Sequence, residues 1–447
     1  MTSYVQKSIR IESLVVFRIS FGLILFLLTF RTLIYGWVDK FYIQPDFFFK
    51  FYGFYWIEPL PAEGMYILFL GMLIASIFIV LGLWYKWAVG FFFISFVYTE
   101  LLDLTHYLNH YYLVSILLFL SLFLPANRAY ALDVWKSPQK KYTHAPKWTV
   151  DILRLQLVIV YFYSGIAKLH SDWLVEAQPM RIWLGQRTDL PLLGTWFGKI
   201  WLAYFLSWAG MIYDLSIGFF LCWKPSRIWA YFTVILFHVL TALLFNIGVF
   251  PYLMILSTLI FFSGQVHQKI ITTFAVVFNF TLSKLKQGPK KRQVSKTRMR
   301  LLACILVPFF ILQCLIPLRH HLYKGHVLWT EEGFRFAWNV MVVEKRGTVQ
   351  FRVVDAVSNQ ESLVNNLDYL TEKQEFMMGT QADFILQFAH FLSQEYRENH
   401  GYMDAMVFVD AQVSLNGRIS QRFIDPTVDL AKEKPSLLAQ QWILPFD

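Results

Sequence analysis

One amine stands at the end of an apolar stretch. In VYFYSGIAKLHSDW (160–173) a run without charge delivers Lys168, with His170 and Asp172 just beyond. An amine moved into low dielectric loses its preference for the charged form, and a neutral amine serves as base or nucleophile near neutral pH. Position alone allows a second reading, in which the butyl stem lies along lipid and the ammonium snorkels to the headgroups. A second polar group occupies LDLTHYLNHYYL (102–113), which carries Asp103, His106, Asn109 and His110. His106 and His110 are four residues apart, so a helix would place both imidazoles on one face, where they could ligate a metal or handle protons. No further histidine cluster of a membrane metalloenzyme accompanies them, so hydrogen bonding or proton handling is the preferred reading and no metal is expected. His238 interrupts another apolar stretch. It is either an ordinary satisfied core histidine or a contact to substrate or cofactor.

The elements that must position these groups follow from composition. Of 447 residues 56% are hydrophobic and 16% charged, which excludes an ordinary soluble enzyme and indicates an integral membrane protein. The formal charge of +10 sits largely in short segments between apolar runs, where membrane orientation explains it better than nucleic acid does. Cys222, Cys304 and Cys314 all fall in apolar stretches and suggest neither a disulfide frame nor a metal site.

A helix crosses roughly 30 Å of hydrocarbon in about 20 residues. About nine stretches qualify by eye: 12–37, 65–84, 87–103, 110–126, 150–168, 201–223, 228–247, 249–264 and 301–318. Gly248 and Pro251 could join the seventh and eighth into one broken unit. The tract 270–282 is too short and reads as interfacial. The basic linker 266–300, with eight Lys/Arg and no Asp/Glu from Lys284 to Arg300, and the basic loop 128–147 place those segments in the cytoplasm with the N-terminus. The membrane domain is then 1–318, and 319–447 is a small extracytoplasmic α+β or β-rich domain. Within it, 349–354 and 406–415 alternate as strands and 382–396 has helical periodicity. The histidines near 106–110 and Lys168 then meet on one outer leaflet, a functional-site hypothesis for ionisable groups in a bilayer.

RLQLVIVYFYSGIAKLHSDW (154–173) closely resembles the vitamin K-dependent gamma-glutamyl carboxylase family in its short, bacterial form. The likeness continues in order through LDLTHYLNHYYL, DLSIGFFL (214–221), FH with LFNIGVFPYLM (237–254), WT with AWNVMVVE (329–344) and VSLNGRISQRFIDPTVDL (413–430). The resemblance implies oxygenation of reduced vitamin K (phylloquinol or menaquinol) to its epoxide by O2. That step is coupled to γ-carboxylation by CO2 of glutamate in an exported or membrane-associated polypeptide, with the bilayer's quinone pool as source. It implies Lys168 as catalytic base and His110 as catalytic partner, with Asn109, His106, Asp172, Trp173, Arg187, His238 and Trp338 contacting substrate or cofactor. The family pattern is departed from at Ala167, Thr241 and Val343, and the chain lacks the long C-terminal extension of animal members, which points to a bacterial cytoplasmic membrane, or the endoplasmic reticulum in a eukaryote. The departures fall mostly on the glutamate side, so a quinol epoxidase without carboxylation is an alternative. A transporter or receptor for an anionic solute, built around the Gly248–Pro251 break, is a third reading.

Overall fold

The computed structural model describes residues 7–191, 194–245, 247–277 and 295–446. A helix forms at each of the nine apolar stretches: α1 Glu12–Ile34, α2 Ala62–Leu81, α3 Tyr85–Leu102, α4 Asn109–Ser121, α5 Trp148–Ile166, α6 Ile200–Cys222, α7 Arg227–Leu244, α8 Phe250–Thr258 and, after the amphipathic α9 Gly264–Val277, α10 Lys296–Leu315. Nine crossings do not follow from this. Among the described residues only six helices are long and apolar enough to span: α1, α2, α5, α6, α7 and Thr297–Leu322. The reason differs for the others. The 18 residues of α3 include Lys86 and Glu100, while α4 with its 13 residues reaches only about 20 Å. The break between α7 and α8 is real, for Gly248 takes a φ of +60° and Pro251 opens α8. The expected interfacial tract is helical up to Val277; its remainder, and the basic linker up to residue 294, lie outside the described residues.

Two buried clusters organise the chain. The first unites α1 to α5 with parts of α6, α7 and α8 around Leu14, Leu25, Phe92, Leu117, Leu153 and Phe261. The second belongs to the C-terminal region, where four antiparallel strands run in the order β4-β3-β5-β6. Here β3 (Lys345–Asp355) pairs with β5 (Ala405–Leu415), β4 (Glu361–Leu363) and β6 (Gln421–Arg422) flank them, and β1 and β2 (Ser8–Arg10, His144–Pro146) form a separate ribbon. Helix α11 (Glu372–Met378) starts from a capping box between Thr371 and Gln374. Helix α12 (Ala382–Asn399) then lays Phe384, Ile385, Phe388, Leu392 and Tyr396 against the sheet, a spacing that puts all five on one face. Expected strands and helix thus form, with longer boundaries than the alternation alone marked.

The membrane helices touch closely at one point that matters for the site. A Cβ at Gly165 on α5 would lie 2.6 Å from the Leu215 backbone nitrogen on α6, and one at Gly218 would lie 3.3 Å from Val158 Cα. Small residues let helices approach in hydrocarbon, where no hydrophobic force drives them together. Leu215 follows Asp214, and Gly165 precedes Lys168 by one turn, so this crossing sets how near those two side chains come. Replacing Gly165 by Ala should force the helices apart and cost about 1–3 kcal/mol, the usual penalty of overpacking. The expected result is a lowered thermal midpoint in detergent; an unchanged midpoint would show that the crossing tolerates a methyl group.

Candidate functional site

Lys168 lies just past the C-terminus of α5, and its side chain folds back over that end. Its Nζ donates to the Ser164 carbonyl (3.1 Å), one of the helix-end carbonyls that lack an intrahelical partner, and to Ser164 Oγ (3.1 Å). From α6 the Asp214 carboxylate accepts at 2.9 Å, and from the C-terminal region the Val340 carbonyl accepts at 3.2 Å. Lysine and aspartate are 5% and 6% exposed, so this is an ion pair inside the protein. Snorkelling is excluded by that burial. An isolated desolvated amine is excluded as well, because the carboxylate is in contact. Asp214 is the residue that sequence reasoning passed over. Its signal was present, as the sole Asp, Glu, Lys or Arg in the 23 residues of α6.

This polar corner opens on a cavity between α5, α6, α7 and α8. Tyr161, Trp173, Phe237, Phe250, Met254 and Met341 contribute to its largely apolar wall, together with His238. The space open to the centres of water-sized spheres is about 130 Å³. A single water needs roughly 10–15 Å³ of such space, so the room corresponds to about ten waters and admits a two-ring aromatic. Trp173 anchors one side, its Nε1 donating to the Ser207 carbonyl (2.7 Å) and its ring 5.3 Å from Lys168 Nζ. His238 is 2% exposed and shares a 3.0 Å hydrogen bond between Nε2 and Tyr161 OH, while its Nδ1 is buried without a partner. Thr241 lines the cavity too, one turn along α7.

The remaining expected residues divide. His110 stands behind the wall, its ring 5.6 Å from that of Phe250, which in turn lies 5.9 Å from His238. Asn109 Nδ2 donates to the Asn339 carbonyl (3.0 Å), next to the Val340 carbonyl that accepts from Lys168, so one strap of chain links both. Trp338 in this strap is 1% exposed and stacks on Tyr112 at 4.9 Å. It therefore shows no face to the cavity of Lys168. His106 does not join the site. It contacts Phe41 (4.3 Å) and its Nδ1 accepts from Lys373 of α11, because the 3-10 turn Leu104–His106 breaks the helix that would have aligned it with His110. Arg187 caps α7 instead of facing the cavity, donating to the carbonyls of Leu244 (2.9 Å) and Leu243 (3.3 Å). Among the described residues no three His, Cys, Asp or Glu side chains stand together as a metal site.

Asp172 has a different task. Both its oxygens accept from Arg418 (2.6 and 2.8 Å), and Oδ2 also accepts from Asn416 (2.7 Å). Asn416 and Gly417 hold positive φ in the turn after β5, so this turn is shaped to present its side chains to the loop beyond Lys168. The clasp fixes the C-terminal sheet to the loop just beyond Lys168 through a bidentate pair.

Comparison with known families places both halves of the chain. Residues 6–265 match the HTTM domain, and residues 298–447 match the lumenal domain of vitamin K-dependent gamma-carboxylase. No solved structure matches.

The clasp has a pH signature. Burial raises the Asp172 carboxyl, but the hydrogen bonds from Arg418 and Asn416 outweigh it and hold the group below its ordinary value. A lowered folded-state value stabilises above the ordinary aspartate range near 3.9 and is lost as pH falls through the lowered one. Amide exchange in 413–418 should therefore stay slow from pH 7 to 5 and rise only below about pH 4. In Asp172→Asn it should be faster from pH 7 to 5, by roughly tenfold, or about 1.4 kcal/mol, and the two proteins should converge below about pH 4. Equal exchange in the two proteins from pH 7 to 5 would remove the clasp.

Proposed function

Because the chain belongs to the vitamin K-dependent gamma-carboxylase family, we propose that it is an integral-membrane enzyme coupling the oxygenation of reduced vitamin K to carboxylation of glutamate in a polypeptide. The observation that carries this reading is a single polar corner, Lys168 with Asp214 and Ser164, at the end of an otherwise apolar and aromatic cavity. Such a cavity suits a flat, lipid-soluble ring with a hydroxyl group at one end. Tyr161, Phe237, Phe250 and Met254 would hold the ring, and the corner would meet the hydroxyl. When bound there with O2, reduced vitamin K supplies the base strong enough to remove a glutamate γ-proton, after which CO2 adds to the carbon.

The protein's part is proton handling and exclusion of water. With three protons Lys168 Nζ has no lone pair, so it must pass one on before it can accept another. Asp214 Oδ2, 2.9 Å away, is the acceptor in reach. Ser164 Oγ donates to the same Oδ2 at 3.0 Å and lies 3.1 Å from Nζ, which fixes the two charged groups relative to each other. Lys168 Nζ then takes the hydroxyl proton of the bound ring. The Val340 carbonyl keeps the amine turned toward the C-terminal region, the side from which a glutamyl side chain would come. In this reading the C-terminal domain is extracytoplasmic and the N-terminus cytoplasmic.

A second reading, oxygenation without carboxylation, draws on Trp338: as a fully buried ring packed on Tyr112 it offers no surface to glutamate. One experiment separates the two. Purified protein in nanodiscs is given vitamin K hydroquinone, labelled bicarbonate and several Glu-containing peptides. Epoxide together with fixed label is the expected outcome; epoxide without label selects the second reading, and neither product overturns both. Lys168→Ala should abolish epoxide formation, and Asp214→Asn should lower it by about 10²–10⁴-fold, the span of a lost proton-transfer group. Size-exclusion behaviour and thermal midpoint report whether each variant is folded.

A further inference from the structure

A second cavity lies on the other side of the strap. It opens between α3, α4 and α10, with Phe93, Phe119, Phe309, Tyr112 and Phe336 among its walls, and offers about 320 Å³ by the measure that gives 130 Å³ around Lys168. The same strap lines both spaces, Phe336 this one and Val340 and Met341 the one around Lys168. The polar groups of this second wall are mostly satisfied. Tyr107 OH donates to Asn109 Oδ1 (3.1 Å) and accepts from the Phe336 amide (2.8 Å). Tyr112 OH accepts from Gln313 Nε2 (2.7 Å), whose own carbonyl accepts from Gln156 (3.2 Å).

Glu100 and Ser115 are the exceptions, and of the two only Glu100 is ionisable. It lines the cavity near the end of α3, half-buried, and among the described residues it has no hydrogen bond and no ion pair. A carboxyl group without a partner in an apolar, aromatic space is costly and is expected to serve a ligand. Such a ligand needs a donor for the carboxylate and flat apolar faces for the rings. Phe119 sits between Phe93 (6.1 Å) and Phe309 (5.0 Å), and both pairs are tilted as aromatic contacts prefer. A hydroxyl on a flat ring meets both needs at once, the carboxyl taking its hydrogen bond and the aromatic walls its faces.

We propose that this cavity is a second ligand site, taking a lipid-soluble phenol or hydroquinone whose hydroxyl donates to Glu100. It rests on the proposed function only in the choice of a naphthalene ring for the probe. A naphthol held here would be one strap of chain away from Lys168, in a reservoir that receives the ring from the bilayer.

The test is photolabelling in nanodiscs with a diazirine-bearing 2-methyl-1-naphthol, followed by peptide mapping. Wild-type protein should be labelled in two sets of peptides, one around 237–254 and 341, the other around 93–119 and 309–313. Glu100→Leu should lower the second set about tenfold and leave the first. Ser115→Phe, which fills the cavity from α4 without touching the carboxyl, should do the same, and the surviving first set proves either variant folded. Labelling confined to the Lys168 cavity, or a second set indifferent to both variants, would overturn the proposal. Competition by dodecylammonium stronger than by unlabelled naphthol would overturn it too, in favour of a cationic lipid. Epoxide assays on the same samples keep the two ideas apart: labelling at Glu100 without epoxide formation defeats the proposed function alone, and epoxide formation without that labelling defeats this one alone.

Discussion

A lysine just past the end of α5 and an aspartate within α6 neutralise one another between two membrane helices. Either charge left alone in a low-dielectric interior would cost several kcal/mol. Together they are tolerable because four oxygens surround one amine and because α5 and α6 meet at Gly165 with almost no space to spare. The rest of the site follows from this crossing. It fixes where the amine stands, leaves the neighbouring space to aromatic side chains, and gives a proton a short path between two groups that can each hold it.

The C-terminal region is part of this arrangement and not an appendage to it. The strap that carries Val340 to Lys168 also carries Asn339 to Asn109, and Phe336, Trp338 and Met341 within it all hold positive φ. Side chains of that size in that conformation cost about 1–3 kcal/mol each, so surrounding contacts must impose it. Those contacts are visible: Trp338 on Tyr112, Tyr107 on the Phe336 amide, and the clasp of Arg418 and Asn416 on Asp172. A further seam runs through Phe47 and Phe49, which pack on α12, and Lys50, whose backbone amide and carbonyl both bond Gln387. Whatever acts on the sheet therefore acts within a few bonds of the amine.

The two cavities follow from the same strap. It is thin, apolar and strained, and it separates the space around Lys168 from the space around Glu100. One space holds an ion pair and the other a carboxyl group without a hydrogen bond or ion pair among the described residues. In apolar surroundings the first is compensated from within the protein, whereas the second has no compensating partner among the described residues.

Much was legible in the residues themselves. Apolar lengths, the cationic linker and the lone amine after SGIA announced a membrane protein with a polar group set at the edge of an apolar stretch, and alternation in 406–415 and periodicity in 382–396 announced the sheet and its helix. These are local properties, set by how each stretch partitions between water and hydrocarbon and by the repeat of its backbone. The partners were not local. Asp214 is 46 residues from Lys168 and Val340 is 172 residues away, while Arg418 reaches Asp172 across 246. A periodicity carries no information about such distances. His106 makes the point in the other direction, since i, i+4 spacing promised a shared face with His110, and a 3-10 turn with Lys373 above it took the ring elsewhere. Sequence decided which groups must avoid lipid; only the packed tertiary structure decided with whom each of them would do so, because pairing a buried charge is a matter of ångströms between helices and not of order along the chain.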